Sequence, residues 1–179
     1  MTETYIQDKI FDKYDFSKIP LTKGEYESCI FMNCNFADND LSDFKFIECE
    51  FLSCNLSLAK LNNTAFRDIM FKDCKMLGLR FDTCNEFGLS FSFDCCQLNH
   101  SSFYKIKIKK TIFKNSQLQE IDFADCDLNN SVFENCDLTR ATFENTNIEK
   151  ADFRTSFNYS IDPEINRIKN RLLSKMGLF

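Results

Sequence analysis

The stretch CDLNNSVFENCDLTRATFENTNIEKADF, residues 126–153, carries large apolar residues at Leu128, Phe133, Leu138, Phe143, Ile148 and Phe153. Every step is five residues. The same step runs back unbroken through Phe123, Leu118, Phe113, Ile108, Phe103 and Leu98 to Phe93. An earlier series keeps it from Phe11 through Tyr26, Phe46 and Phe66 to Phe81, two residues out of phase with the later one. A period of five scatters side chains around an α-helix and alternates them across a straight strand. It makes sense if the chain turns a corner every five residues, so that the centre of each short side faces one shared interior.

The residue two places earlier tests that reading, because in an extended segment it points the same way. In the later series it is mostly small: Cys96, Ser101, Thr111, Ser116, Cys126, Ser131, Cys136, Ala141, Thr146 and Ala151, with Phe91, Ile106 and Ile121 as exceptions. Cysteines crowd the same slot. CIFMNCNF (29–36) and CEFLSCNL (49–56) look like metal knuckles or a disulfide framework, yet Cys29, Cys34, Cys49, Cys54, Cys74, Cys84, Cys96, Cys126 and Cys136 all take this position; Cys95 alone does not. The spacing is then the repeat itself, and the thiols are expected to be small buried hydrophobes, with Cys34, Cys54 and Cys74 stacked. Asn35 over Asn55 reads as a ladder that satisfies backbone groups.

Among 179 residues there are 21 Phe, no Trp, 4 Gly and 2 Pro. So few turn residues disfavour a hairpin-rich sandwich or antiparallel barrel. Ten cysteines with no apolar leader suggest a reducing, cytoplasmic setting, and no apolar run approaches a membrane span. A net charge of −5, from 27 acidic and 22 basic residues, argues against direct nucleic-acid binding.

With this repeat the chain resembles the pentapeptide-repeat family, written A(D/N)LXX, over roughly residues 6–156. The resemblance implies an all-β fold, a right-handed quadrilateral parallel β-helix with four repeats per coil. Coils rising about 4.8 Å each would build a rod of roughly 35 Å. This β-helix is expected over residues 1–160.

Two places depart from the repeat. Between Phe81 and Phe93 twelve residues replace ten, and position 86 is Glu where an apolar residue is expected. That reads either as a bulge that shifts the register near 82–92 or as a protrusion that touches a partner, with Gly88 supplying an unusual backbone angle. After Phe153, residues 161–179 read as a capping and dimerisation helix. Asp162 could N-cap it, Pro163 and Glu164 suit its first turn, and Ile165, Ile168, Leu172, Leu173, Met176 and Phe179 give it an apolar face and end. SIDPEINR and the KMG ending, with FSFDCCQL and KIKIKKTIF upstream, resemble a subset of the family that protects DNA gyrase, the Qnr quinolone-resistance proteins and the microcin immunity protein. That likeness implies a negatively charged, rod-like homodimer that imitates duplex DNA.

For function the residues offer little catalytic chemistry. His100 is the single histidine and reads as solvated; no phosphate loop or nucleophile–base set is present, so no catalytic residue, cofactor or metal is assigned and a non-enzyme is expected. The later coils are rich in outward acids: Glu120, Asp122, Asp125, Asp127, Glu134, Asp137, Glu144 and Glu149, following the basic KIKIKK at 105–110. These acids are the candidate surface for DNA gyrase or a related type II topoisomerase, and the protein is expected to shield that enzyme from a poison. Only a two-residue insertion stands where Qnr proteins carry larger loops, which sets quinolones apart from other poisons. The competing reading is a β-helical scaffold for another protein, its acids serving solubility alone.

Overall fold

The computed structural model describes residues 4–170, Leu172 and Leu173. All regular pairing among them is parallel, between strands of two to four residues that lie one coil apart. On the first face β1 (Thr4–Gln7), β3 (Gly24–Glu27), β5 (Lys45–Ile47) and β7 (Ala65–Arg67) stack in sequence. On the second face β2 (Ile10–Asp12), β4 (Ile30–Met32), β6 (Glu50–Leu52), β8 (Ile69–Lys72), β9 (Phe91–Asp94), β10 (Ile112–Lys114), β11 (Val132–Glu134), β12 (Asp152–Phe153) and β13 (Leu172–Leu173) form a nine-stranded sheet. Single bridges continue the third face through Asn35, Asn55, Lys75, Gln97 and Gln117, and the fourth through Arg80, Ser102, Asp122 and Thr142. The chain is a four-sided parallel β-solenoid.

The interior is built of like on like. On the second face Phe11, Phe31, Phe51, Phe71, Phe93, Phe113, Phe133 and Phe153 stack ring upon ring, with centroids 4.4–5.4 Å apart. Rings on the fourth face meet them edge-on, as Phe103 meets Phe113 at 5.9 Å and Phe123 meets it at 5.7 Å. Offset and edge-on pairs of this kind each add about 0.5–1.5 kcal/mol beyond area burial. The small slot holds as expected. Cys34, Cys54, Cys74 and Cys96 follow one another in register on the third face, and each thiol donates to a carbonyl of the coil before it, as Cys54 does to Phe31 at 3.2 Å. All ten cysteines are free thiols, and Cys95 alone is exposed.

Corners explain how so few glycines suffice. Two residues after most interior apolar positions the backbone enters the left-handed region: Asn33 (φ 54°), Leu58 (59°), Asp73 (54°), Lys105 (61°), Arg140 (58°). Asn and Asp tolerate this conformation, whereas Lys, Arg and Leu hold it at a cost. The coil-to-coil ladder offsets that cost, since the corner N–H donates to the next coil, as Lys105 does to Ala124 O at 3.0 Å. Between corners, Asn35 Oδ1 accepts from Ala37 N–H and Asn55 Oδ1 from Ser57 N–H, so the expected Asn ladder does satisfy backbone donors.

The C-terminal helix is not present in residues 161–170 or at Leu172 and Leu173. That segment is a further coil. Arg167 pairs with Asn147, Leu172 with Asp152 and Leu173 with Phe153. Ile168 packs on the core three steps of five beyond Phe153. Asn166 fills the small slot, accepting from Thr146 N–H and donating to Phe143 O, both at 2.8 Å. The physical reason is the open ladder of the preceding coil. A short helix would leave Thr146 O, Ala151 O and Ile148 N–H unpaired at a buried edge; the added coil engages all three. Asp162 does accept from Glu164 N–H at 2.8 Å, but in a turn rather than a helix N-cap. Met176 and Phe179 lie outside the described residues.

Candidate partner-binding surface

Because neighbours on the surface are residues one coil apart, the acids of the later coils must be read in columns. On the fourth face Asp122 stands at a bridge position facing Thr142, and Glu144 follows beside it. On the first face Asp127 bridges Lys107 and Asn147, and Glu149 follows. Asp125 occupies the left-handed corner between those faces, and Glu120 the corner before the fourth. Glu134 lies in β11 on the second face, and Asp137 on the third. The eight residues therefore encircle the rod rather than line one ridge. Asp122, Asp125, Asp127, Glu144 and Glu149 share one corner and its two flanks.

Half of the acids are compensated by the coils beside them. Glu120 lies 3.3 Å from both Arg140 and His100. Asp127 pairs with Lys109 at 3.1 Å and Glu134 with Lys114 at 3.5 Å. Partial burial works against the charged form of Asp137, yet hydrogen bonds from Thr139, Gln119 and Asn158 hold its carboxyl below the usual range. Among the described residues Asp122, Asp125, Glu144 and Glu149 form no ion pair. His100 sits at an exposed corner (φ 62°) facing Glu120. Of the proposed apolar end, Ile168 is half-buried against the core, whereas Ile165 and Leu172 are 46% and 45% exposed. No cluster of three or more His, Cys, Asp or Glu side chains among the described residues is placed to hold a metal ion. No helix there is long and apolar enough to cross a membrane.

The break in the repeat does two things at once. Asn85 N–H still donates to Thr64 O, whereas Ser90 N–H donates to Phe66 O, so the extra residues lie between them on the first face. Pairing across this coil then steps by 22, Ile69 to Phe91, Lys75 to Gln97 and Arg80 to Ser102. Leu89 turns toward the core, and Phe91 fills the interior against Phe81, Phe93 and Phe103. The segment before Leu89 projects. Phe87 at its tip is 77% exposed, with the Arg67 guanidinium 5.1 Å from its ring centroid and Arg67 Nε donating to its carbonyl at 3.3 Å. Gly88 beside it holds φ +68°. Phe87 carried no signal of its own beyond being a Phe out of phase with both series.

Comparison with known proteins agrees with this geometry. Residues 87–153 match the family model described as pentapeptide repeat region. None of the curated proteins matches the chain. Among solved structures it is similar to full-length QnrB1, a plasmid-mediated fluoroquinolone resistance protein, at 17% identity and TM-score 0.57, covering 96% of this chain and 94% of that one. HetL, a pentapeptide repeat protein involved in heterocyst differentiation regulation from the cyanobacterium Nostoc sp. strain PCC 7120, aligns at 12% identity and TM-score 0.49, covering 94% of this chain and 85% of that one.

Proposed function

We propose that this chain, a member of the pentapeptide-repeat family, is a non-enzymatic cytoplasmic protein that binds DNA gyrase or a related type II topoisomerase and relieves a poison of that enzyme, an antibiotic or a toxin. The observation that carries the reading is the quartet Asp122, Asp125, Glu144 and Glu149, which form no ion pair among the described residues, on a rigid corner. Fixed carboxylates held on a β-ladder present negative charge without reorganisation, and so compete with phosphates for a basic surface and steer association. The fold shared with a fluoroquinolone resistance protein supports the choice of partner. A homodimer joined through the C-terminal coil belongs to the same reading, since Ile165 and Leu172 leave apolar surface there.

The test is gyrase supercoiling in the presence of a quinolone or a peptide poison. The protein restores supercoiling at micromolar concentration, and Asp122→Asn, Asp125→Asn, Glu144→Gln and Glu149→Gln combined lower that rescue at least tenfold. Neither binding nor rescue by the unaltered protein overturns the proposal. A second reading, a scaffold for another protein, is favoured by one observation: Glu120, Asp127 and Glu134 are already paired within the rod. Capture of a partner other than a topoisomerase, with rescue absent, would select it.

A further inference from the structure

The projecting turn opens a gap in the first-face ladder. Where that ladder is regular, the residue before each interior position donates to the previous coil: Asp127 N–H to Ile106 O, Asn147 N–H to Cys126 O, Arg167 N–H to Thr146 O. Lys107 N–H makes no such bond to Cys84 O. Glu86 N–H does not reach Lys107 O, and Gly88 N–H does not reach Lys109 O. The N–H and C=O of Lys107 and the C=O of Lys109 thus face the turn without a partner among the described residues, in a segment whose lysine side chains are exposed.

Three features surround this open edge. Phe87 stands out as a rigid aromatic, its N–H held by Asn85 Oδ1 at 3.0 Å and its carbonyl by Arg67. Lys107 and Lys110 form no ion pair among the described residues, whereas Lys109 is engaged by Asp127 and the Lys105 ammonium rests 4.8 Å from the Tyr104 ring. The nearby acids are Asp127, already engaged by Lys109, Asp125 one coil below Lys105, Glu86 on the turn, and Asp68, which accepts from Ser90 Oγ. The local balance is basic in a chain of net charge −5.

We propose that this edge docks an acidic, extended segment of a partner protein. Its main chain would pair with Lys107 and Lys109 by strand addition, its apolar side chains would rest on Phe87, and its carboxylates would meet Lys107 and Lys110. Main-chain pairing selects a peptide over a nucleic-acid strand, which has no main-chain N–H to offer the carbonyls of Lys107 and Lys109. The pre-held Phe87 ring lowers the ordering cost of binding. The site lies on the coil before the Asp122–Glu149 corner and adjoins its first-face flank through Asp127, but it does not depend on the topoisomerase reading.

The test uses the full chain and fluorescence anisotropy with three labelled probes: a short peptide alternating Glu and Val, its Lys and Val counterpart, and an oligothymidylate. The Glu–Val peptide is expected to bind saturably. Phe87→Ala, and Lys107→Glu with Lys110→Glu, should each weaken it at least tenfold, while Glu144→Gln with Glu149→Gln should leave it unchanged. Hydrogen exchange of the Lys107 amide, fast in the free protein, should slow in the complex. Equal affinity in the variants, tighter binding of the oligothymidylate or the Lys–Val peptide, no saturable binding, or a Lys107 amide already protected in the free chain would each overturn the proposal.

Discussion

Replacing Phe113 by Ala tests whether the stacked rings hold the rod together. Phe113 has 0% exposed surface and touches four rings: Phe93 and Phe133 stacked at 5.1 and 4.9 Å, Phe103 and Phe123 edge-on at 5.9 and 5.7 Å. Truncation removes the transfer term and leaves a cavity, together about 3–5 kcal/mol for a buried Phe. The upper half of that range is expected here, because β-ladders on either side prevent the coils from collapsing into the void. Each coil contacts only its neighbours, so the loss weakens two coil-to-coil interfaces at once. The measurement is guanidinium unfolding followed by circular dichroism, with Phe87→Ala as the exposed control, expected within about 0.5 kcal/mol of the parent. A lower midpoint at unchanged slope reports the stability loss; a smaller slope would mean that the rod has begun to melt in parts. A cost for Phe113→Ala below about 2 kcal/mol would refute the view that the ring ladder is the principal support of the fold.

Other parts of the fold make their own predictions. Leu58 holds φ 59° at an exposed corner, so Leu58→Gly should relieve strain and raise stability by about 1 kcal/mol in the same unfolding assay. A Cβ on Gly24 would lie 2.3 Å from Thr4 O, so Gly24→Ala should unpair β1 from β3, seen as faster hydrogen exchange at Asp8, whose N–H donates to Glu27 O, with the later coils unaffected. In native buffer one thiol, Cys95, should react with a thiol reagent, and the others only after denaturation. Burial pushes the Cys49 and Cys136 thiols up to about 12; neighbouring thiols act first on Cys54 and Cys74, which with burial also rise to about 12. The folded state therefore keeps protons that the unfolded chain gives up, so stability is full below about pH 8.5 and falls as pH rises toward 12, by about 1.4 kcal/mol per pH unit for each such thiol. Stability unchanged up to pH 11 would contradict this.

The interior was legible because it obeys one rule of spacing. The two apolar series, the small slot and the fate of nine cysteines all follow from a corner every five residues. The C-terminal coil escaped the same rule for a local reason. Asn158 and Pro163 fall where apolar residues are due, so Ile168 and Leu173, still in phase, read as the apolar face of a helix whose start Asp162 and Pro163 imitate. The corners were not legible either, since Lys105, Arg140 and Leu58 carry no mark of a left-handed backbone. The break at Glu86 was visible, but its projecting Phe87 was not, because which of the extra residues turns inward depends on packing beneath Arg67 and Phe91.

The surface charge is where linear reading and stacked geometry part most. Counted along the chain, the later coils are acidic; counted down the columns, basic residues one coil away answer Glu120, Asp127 and Glu134, and neutral donors hold Asp137. What stays unanswered, Asp122, Asp125, Glu144 and Glu149, spans two adjacent coils, or about 5 Å from one coil to the next. Duplex DNA carries one charge per about 1.7 Å of axis, so about six over the roughly 10 Å that two coils occupy. Four carboxylates on that length approach the density of a duplex locally; the preceding coil, with Lys105, Lys107 and Lys109, does not continue it, and the following coil sets Arg167 and Lys169 beside Asp162 and Glu164. The rod is thus better suited to seat one short anionic contact in a basic pocket than to imitate a long helix. That is why neutralising the four residues together should abolish the proposed rescue, whereas neutralising Glu120 and Glu134, already paired within the rod, should leave it nearly intact.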